Sequence, residues 1–256
     1  MTGRSPKVTQ APVPMRFVGP IKIQGQGWGD KLSVPLATYE IPLWHSVGRG
    51  ARVSVLCDGI KTTLVDERMT RSILLEADDA SDALLAWQSL QNSQVLMQEQ
   101  VSQHSRFAKL VDMHAQIVGN LLYLRLEFTT GDASGHNMVT QAADNIMTWL
   151  LTAYPQLRYC SISGNYCSDK KATAVNGILG RGKYVVAEIT IPRALCQRRL
   201  LTTPERIVDL NIKKNLIGTL MAGGLRSANA HYVNMLLGFI WLQVRTRQIS
   251  LRGPKG

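Results

Sequence analysis

The sequence is short of cysteine, of aromatic residues and of acidic charge. Four of its 256 residues are cysteine, and no second cysteine or histidine lies at the spacing of a zinc site, so we expect free thiols and no metal. No apolar run is long enough to span a bilayer, and Met1–Pro14 lacks the apolar core of a secretory signal. These absences predict a cytoplasmic protein without a membrane partner.

The excess of basic residues favours an anionic partner. Net charge is +11, from 29 basic and 18 acidic residues, which suits both nucleic acid and nucleotide cofactors. RNA-recognition domains present aromatic side chains on their central strands. The segment Leu121–Phe128 has Tyr123 and Phe128 but no basic-glycine-aromatic signature. A nucleic-acid-binding module is therefore the weaker alternative, and we expect no nucleic-acid partner.

Hydrophobic periodicity predicts an α+β fold with two modules. Residues 73–162 show the order β-α-β-β-α-β of a ferredoxin-like domain. We expect this domain to be inserted into a larger α+β domain made of residues 16–72 and 163–239, preceded by a loose segment, 1–15. The predicted strands are Ile21–Gln24, Leu32–Leu36, Ala51–Cys57, Ile73–Leu75, Phe107–Val118, Leu121–Phe128, Leu157–Ile162 and Tyr184–Ile191, and the predicted helices are Pro42–Gly50, Asp79–Leu90, Val95–His104, Asn137–Tyr154 and one that begins at Pro204.

A polar stretch, Ser163–Lys171, follows a predicted buried strand and ends beside a predicted helix. It contains Asp169 next to Lys170 and Lys171. A carboxylate beside two ammonium groups keeps a lysine oriented and charged, ready to stabilise a developing oxyanion. Taken alone, the stretch is also compatible with a capped helix start and a solvated ion pair.

Three motifs occur in order along the chain. The first is Val34–Glu40 with Ser46 and Arg49 behind it, the second is Thr130–Met138, and the third is Ser163–Lys171 followed by Gly180-Arg-Gly-Lys183. Together they resemble the motifs of the 3-hydroxy-3-methylglutaryl-CoA reductase family, from about Pro12 to Phe239. The resemblance implies reduction of 3-hydroxy-3-methylglutaryl-CoA (HMG-CoA) to mevalonate and CoA.

The resemblance also implies a role for individual residues. Lys170 matches the family's catalytic lysine, and Glu40 matches its proton-donating glutamate. The apolar neighbours of Glu40, which are Leu36, Ile41 and Leu43, predict that its side chain is partly buried. Ser134 and His136 stand where the family commonly has methionine. We expect His136 to be an ordinary residue of the first helical turn, and a contact with a cofactor phosphate is the alternative. The matching substrate-binding residues are Ser46, Arg49, Arg71, Ser163, Asp169, Lys171 and Asn234, and the matching cofactor-binding residues are Asp132, Ala133, Gly135, Asn137 and Met138.

Partners follow from the same resemblance. The form of the lysine motif favours NADPH over NADH, bound by the ferredoxin-like domain, while the larger domain takes HMG-CoA. The family builds its site across a dimer interface. We therefore expect a homodimer in which Asp132 and Asn137 of one chain face Lys170 of the other.

The tail, residues 240–256, departs from the family. It carries Arg245, Arg247, Arg252 and Lys255 without an acid. The genetic code allows codons for this tail that, with one nucleotide added after Phe239, encode a different peptide. That peptide contains the sequence Gly-Gln-Asp-Ala-Ala. Its aspartate would stand at position 246, where the family has an aspartate and this chain has Thr246. We therefore expect a truncated, frameshifted reductase, which makes an inactive remnant the main alternative function. A genuine basic tail is the other interpretation of this segment.

Overall fold

The computed structural model describes residues 12–25, 31–169, 171, 173–224 and 228–240. Lys170, most of the predicted loose segment and residues 241–256 of the basic tail lie outside this described part. The chain divides into two compact units, one drawn from Met1–Thr63 and Val186–Gly256 and the other from Leu64–Val185. The domain limits predicted at residues 73 and 162 stay predictions.

The first unit begins with a hairpin on which a helix packs. Strands β1 (Met15–Gly25) and β2 (Lys31–Ala37) are antiparallel, with Val18 opposite Val34. Helix α1 (Ile41–Leu56) packs against β1. The end of β1 is parallel to the beginning of β3 (Ile60–Glu76), with Ile23 opposite Ile60.

The prediction of a strand at Ala51–Cys57 is wrong, because α1 continues through Leu56. Ala51, Val53 and Ser54 are buried along the helix, and the Ser54 hydroxyl donates to the Ala51 carbonyl over 2.6 Å. Burial of this face decides the local structure against the strand preference of the valines. The unit also contains the end of a strand that begins in the second unit, and further helical elements. The helical elements are α6 (Arg193–Leu195) with a π-helical turn (Cys196–Leu200), α7 (Pro204–Leu210) with a second π-helical stretch (Asn211–Ile217), α8 (Gly218–Met221), and residues 232–240.

The second unit contains a four-stranded antiparallel arrangement in the order β6-β3-β5-β4. This confirms the predicted β-α-β-β-α-β order and the α+β class. The long strand β3 extends 13 residues before the predicted start at Ile73. The other elements of this unit are α2 (Ala80–Gln91), α3 (Gln94–Ser102), β4 (Lys109–Val118), β5 (Leu121–Thr129), α4 (His136–Ala153), β6 (Arg158–Ser161) and α5 (Ala174–Leu179), and β7 (Gly182–Glu188) begins in it.

Strand β5 is buried on both faces. Its even-numbered residues, from Leu122 to Phe128, join the apolar core formed with α2, α3 and α4. On the opposite face Arg125 and Glu127 are fully buried as well. The alternation of apolar residues with Tyr123, Arg125 and Glu127 in the sequence predicts a half-buried strand. That prediction is wrong for Arg125 and Glu127, which are buried because each side chain neutralises the charge of the other.

None of the helices in the described ranges is long and apolar enough to cross a membrane.

Candidate active site

A tight turn precedes α4 and carries the second motif. Gly131 and Gly135 have positive φ angles of 60° and 78°. A Cβ at Gly135 would lie 2.5 Å from the Thr130 methyl carbon, so only glycine fits there. The Thr130 hydroxyl donates to the Ala133 carbonyl over 2.8 Å and closes the turn. The structure thus places the predicted cofactor residues Asp132, Ala133, Gly135, Asn137 and Met138 along this turn and the first residues of α4.

An open cavity of about 350 Å³ lies beside the start of α4. It brings together Arg71 and Asp169, predicted to bind substrate, and Asn137, predicted to bind cofactor. These side chains come from β3, the polar stretch and α4 of a single chain. A larger cavity, of about 660 Å³ along α3, contains none of the motif residues. The full lining of the smaller cavity is Thr70, Arg71, His136, Asn137, Val139, Thr140, Asp169 and Arg181.

Asp169 is held between two basic side chains. Nη2 of Arg181 donates to its Oδ1 over 2.5 Å, and Nε2 of His136 lies 3.7 Å from the same oxygen. Arg181 also donates through Nε to the Thr70 hydroxyl over 3.1 Å. The carboxylate is therefore fixed in direction at the cavity wall. His136 is the first residue of α4 and also faces this carboxylate.

Sequence reasoning missed Arg181 and Thr70 as site residues. Arg181 stands within the quoted segment Gly180-Arg-Gly-Lys183, and its position between two glycines was the available signal. Thr70 had no signal, because it lies in the part of β3 that periodicity did not reveal.

Arg71 is anchored by one nitrogen. Its Nε donates to the Ile162 carbonyl over 3.0 Å, and its partly buried side chain lines the cavity. This bond fixes the guanidinium at the end of β6, where the polar stretch begins. An arginine fixed in this way can present its terminal nitrogens to a carboxylate.

The polar stretch follows a tightly turned path. Asn165 and Ser168 have positive φ angles of 61° and 51°. The Gly164 N–H donates to the Ser72 carbonyl over 2.9 Å, and the Ser163 N–H donates to the Ser161 hydroxyl over 3.0 Å. Lys171 donates through Nζ to Asn165 Oδ1 over 3.4 Å. These bonds hold the described residues of the stretch, which include the predicted substrate residues Ser163 and Lys171.

Glu40 is exposed, so the prediction of partial burial is wrong. It stands just before α1, where Leu43 is buried but Ile41 is 58% exposed. Its Oε2 accepts a hydrogen bond of 3.1 Å from Asn234 Nδ2, and the two residues share a cavity of about 390 Å³. The structure therefore brings together the predicted catalytic Glu40 and the predicted substrate residue Asn234.

Ser46 and Arg49 lie at exposed positions on α1. Neither is among the residues that line the cavity beside Glu40. Their substrate-binding roles stay predictions.

A charge network lies next to the polar stretch. Arg68 donates to Asp66 over 2.7 Å and to the buried Glu127 over 2.5 Å. The hydrogen bond from Arg68 holds the pKa of Asp66 below its usual value. The same bond is the main reason that the pKa of Arg68 lies above its usual value. Both groups therefore stay charged at neutral pH.

Asp112, His114 and Glu127 have ligand atoms within 4.8 Å of one another. However, the two oxygens of Glu127 already accept from Arg125 and Arg68 at 2.8 and 2.5 Å. A metal cation would have to compete with two guanidinium groups for this carboxylate. The cluster is better explained as part of the ion-pair network.

Comparison with known proteins shows the family to which the chain is similar. A family model described as hydroxymethylglutaryl-coenzyme A reductase matches residues 7–240. The 3-hydroxy-3-methylglutaryl-coenzyme A reductase of Pyrococcus horikoshii is 44% identical over 232 residues, which are 90% of this chain and 55% of that protein. The reductase of Strongylocentrotus purpuratus is 38% identical over 261 residues, covering 96% of this chain and 27% of that protein.

Solved structures show the same fold. The class II 3-hydroxy-3-methylglutaryl-CoA reductase of Streptococcus pneumoniae, bound to NADPH, superposes with a TM-score of 0.60 at 17% identity. The match covers 83% of this chain and 54% of that one. The chain spans about half the length of the archaeal relatives that it matches.

Proposed function

The chain belongs to the hydroxymethylglutaryl-coenzyme A reductase family, and from this premise we propose that it reduces HMG-CoA to mevalonate. The reaction breaks the thioester, consumes two NADPH and two protons, and releases CoA and two NADP⁺. One observation carries the proposal. Arg71 and Asp169, which match substrate-binding positions of the family, line one cavity with Asn137, which matches a cofactor-binding position.

The turn before α4 suits a dinucleotide. Glycine at position 135 allows the positive φ of 78° with which the chain enters α4, and the first residues of α4, His136 and Asn137, line the cavity. Asp132, Ala133, Gly135, Asn137 and Met138 would hold NADPH there. When bound, NADPH supplies the hydride for each reduction. The NADPH in the Streptococcus pneumoniae structure supports this choice of donor.

Each reduction moves negative charge onto a carbonyl oxygen, which needs a nearby cation and a proton source. We assign the cation to Lys170, which directly follows the fixed carboxylate of Asp169. We assign proton donation to Glu40, whose carboxylate is oriented by Asn234.

The free carboxylate of the substrate needs a forked cation and hydroxyl donors. Arg71, Ser163 and Lys171 supply those groups within the second unit. We propose that Ser46, Arg49 and Asn234 contact other parts of the substrate.

The test is turnover and binding by the purified chain. We expect NADPH oxidation that depends on HMG-CoA, with mevalonate identified by mass spectrometry. Asp169→Asn should reduce turnover about 100-fold, because it removes a charge-assisted bond from the cavity wall. Asp144→Asn is the matched control, since Asp144 is exposed on α4 away from the cavity.

Two other outcomes are informative. Binding of NADPH and HMG-CoA without turnover would identify an inactive remnant, the alternative function. Failure to bind either compound in a folded sample would contradict the proposal and its alternative together.

We also propose a cytoplasmic homodimer, on the family resemblance alone. Asn137 and Asp169 line one cavity within a single chain, so the dimer is not needed to bring these two together. Light scattering of the purified chain measures the oligomeric state directly, and a monomer at micromolar concentration would contradict the homodimer.

A further inference from the structure

We infer that Arg125 is a positioning residue for the polar stretch Ser163–Lys171. Its guanidinium binds Tyr166 within the stretch and Asn176 and Gly180 after it, and these bonds hold the described residues of the stretch in place. The inference rests on the proposed role of Lys170. It concerns a residue of β5 that none of the three motifs contains.

The contacts of Arg125 converge on this stretch. Nη1 donates to the Tyr166 carbonyl over 3.1 Å and to Asn176 Oδ1 over 3.3 Å, and Nη2 donates to the Gly180 carbonyl over 2.6 Å. Nε donates to Glu127 over 2.8 Å. All three nitrogens are therefore engaged, and the side chain is fully buried. A planar guanidinium holds such acceptors in fixed directions.

Asn176 extends the effect of Arg125 along the backbone. Its Oδ1 accepts from Arg125, while its Nδ2 donates to the Ser168 carbonyl over 3.1 Å and to the Lys171 carbonyl over 3.3 Å. Thr70 donates to the Cys167 carbonyl over 3.1 Å. The carbonyls of residues 166, 167, 168 and 171 thus all accept hydrogen bonds from side chains.

The backbone conformation of the stretch explains why these hydrogen bonds are needed. Asn165 and Ser168 adopt left-handed conformations that are unfavourable for residues with a Cβ. Such conformations persist only where surrounding contacts hold them. The bonds from Arg125 and Asn176 fall on residues 166 and 168, next to or at the strained positions.

Stability alone does not account for the buried ion pair. Replacing both members of a buried pair by uncharged residues is often neutral or stabilising, whereas removing one member leaves an uncompensated charge. Glu127 supplies the compensating charge that lets Arg125 remain buried, and Arg68 binds the second oxygen of Glu127. The pair therefore allows a guanidinium to reach the polar stretch from inside the fold.

The decisive variant is Arg125→Met combined with Glu127→Gln, in which both charges are removed and the introduced amide oxygen can still accept from Arg68. Glu127→Gln alone and Arg158→Met are the controls, since Arg158 binds Asp78 and the Ala77 carbonyl instead of the polar stretch. Arg125→Lys keeps the positive charge but replaces the planar guanidinium, with its several donors, by a single ammonium group. Hydrogen exchange of peptides from 163–171 is measured beside thermal unfolding and, where the parent is active, kcat and KM.

We expect the double variant to melt within about 5 °C of the parent. Amide exchange in residues 166–171 should rise at least about 10-fold, while exchange in α2 and α4 stays unchanged. In an active parent kcat should fall about 100-fold with little change in the KM for NADPH, because a displacement of about 1 Å at the reacting groups has that effect. Arg125→Lys should show the same exchange increase, and it decides the question if the double variant does not fold.

Parent-like exchange in the folded double variant, or in Arg125→Lys, would overturn the inference. An increase spread evenly over the whole unit would also overturn it, because that pattern indicates a purely structural residue. A parent without reductase activity would contradict the proposed function, while the exchange measurements would still decide on Arg125.

Discussion

Asn234 donates a hydrogen bond of 3.1 Å from Nδ2 to the carboxylate of Glu40, although the two residues are 194 positions apart. The bond orients an exposed carboxylate that stands just before α1. Asn234 Nδ2 also lies 3.4 Å from His231 Nδ1. A helical residue near the end of the described chain therefore sets the direction of an acid near its beginning.

Glu40→Gln should reduce turnover by about 100-fold or more while leaving NADPH affinity unchanged. Glutamine keeps an oxygen that can accept from Asn234, but it cannot deliver a carboxyl proton, and general acid catalysis contributes about 10²- to 10⁴-fold. Steady-state kinetics and NADPH fluorescence titration test this. Glu99→Gln on α3 is the matched control. Turnover of Glu40→Gln close to that of the control would exclude Glu40 as the proton donor.

Arg181→Lys should raise the KM for HMG-CoA about 10-fold. The guanidinium donates to both Asp169 and Thr70, and a single ammonium group cannot reproduce this geometry. Loss of one hydrogen bond to a charged group costs about 1.5 kcal/mol or more, which is about tenfold in affinity. Arg106→Lys, at an exposed loop position, is the control. An unchanged KM for Arg181→Lys would show that Arg181 does not contribute to substrate binding.

Periodicity predicted those parts of the fold that form through local contacts. Helix α4 and the β4–β5 hairpin each show a clear apolar repeat, and both lie close to their predicted positions. Ala51–Cys57 was predicted wrongly because its valines favour a strand, while burial against β1 favours a helix. The first part of β3 has mixed polarity and gave no clear repeat.

The motifs predicted residues whose roles depend on the reaction, and missed those whose roles depend on packing. Asp169 and Asn137 were expected from their motifs and Arg71 from the family resemblance, and the three do line one cavity. Arg125 and Glu127 looked like the solvent face of a strand, because an arginine and a glutamate two positions apart are compatible with either exposure or mutual burial. What distinguishes burial from exposure is the position of the polar stretch, which covers the face of β5 that carries Arg125 and Glu127.

The contribution of Glu205 to stability should disappear in acid. The hydrogen bond from Arg193 lowers the pKa of Glu205 to about 2 from an ordinary value of about 4.3. Because the folded-state pKa is lower than the unfolded one, the stabilisation is present above about pH 4.3 and is lost as the pH falls through about 2.

Thermal unfolding of the parent and of Glu205→Gln tests this. Both side chains of the pair are more than half exposed, so a small difference in Tm is expected at neutral pH. That difference should decrease as the pH falls towards about 2 and approach zero below that pH. A difference in Tm that persists unchanged at this pH would contradict the assignment.

Gly135→Ala should abolish NADPH binding and destabilise the second unit. Alanine is unfavourable at the positive φ of 78° that residue 135 adopts. Its Cβ would also lie 2.5 Å from the Thr130 methyl carbon, so the turn must open and α4 must shift. Gly131→Ala is a closely matched control: its φ is 60°, but a Cβ there meets nothing within 4 Å. The control should lose about 1–2 kcal/mol for the left-handed backbone and retain NADPH binding. Denaturant unfolding and NADPH titration of both variants measure the difference. If the two variants lose stability and affinity equally, the contact with Thr130 does not shape the turn, and the proposed NADPH site at the start of α4 loses its main structural support.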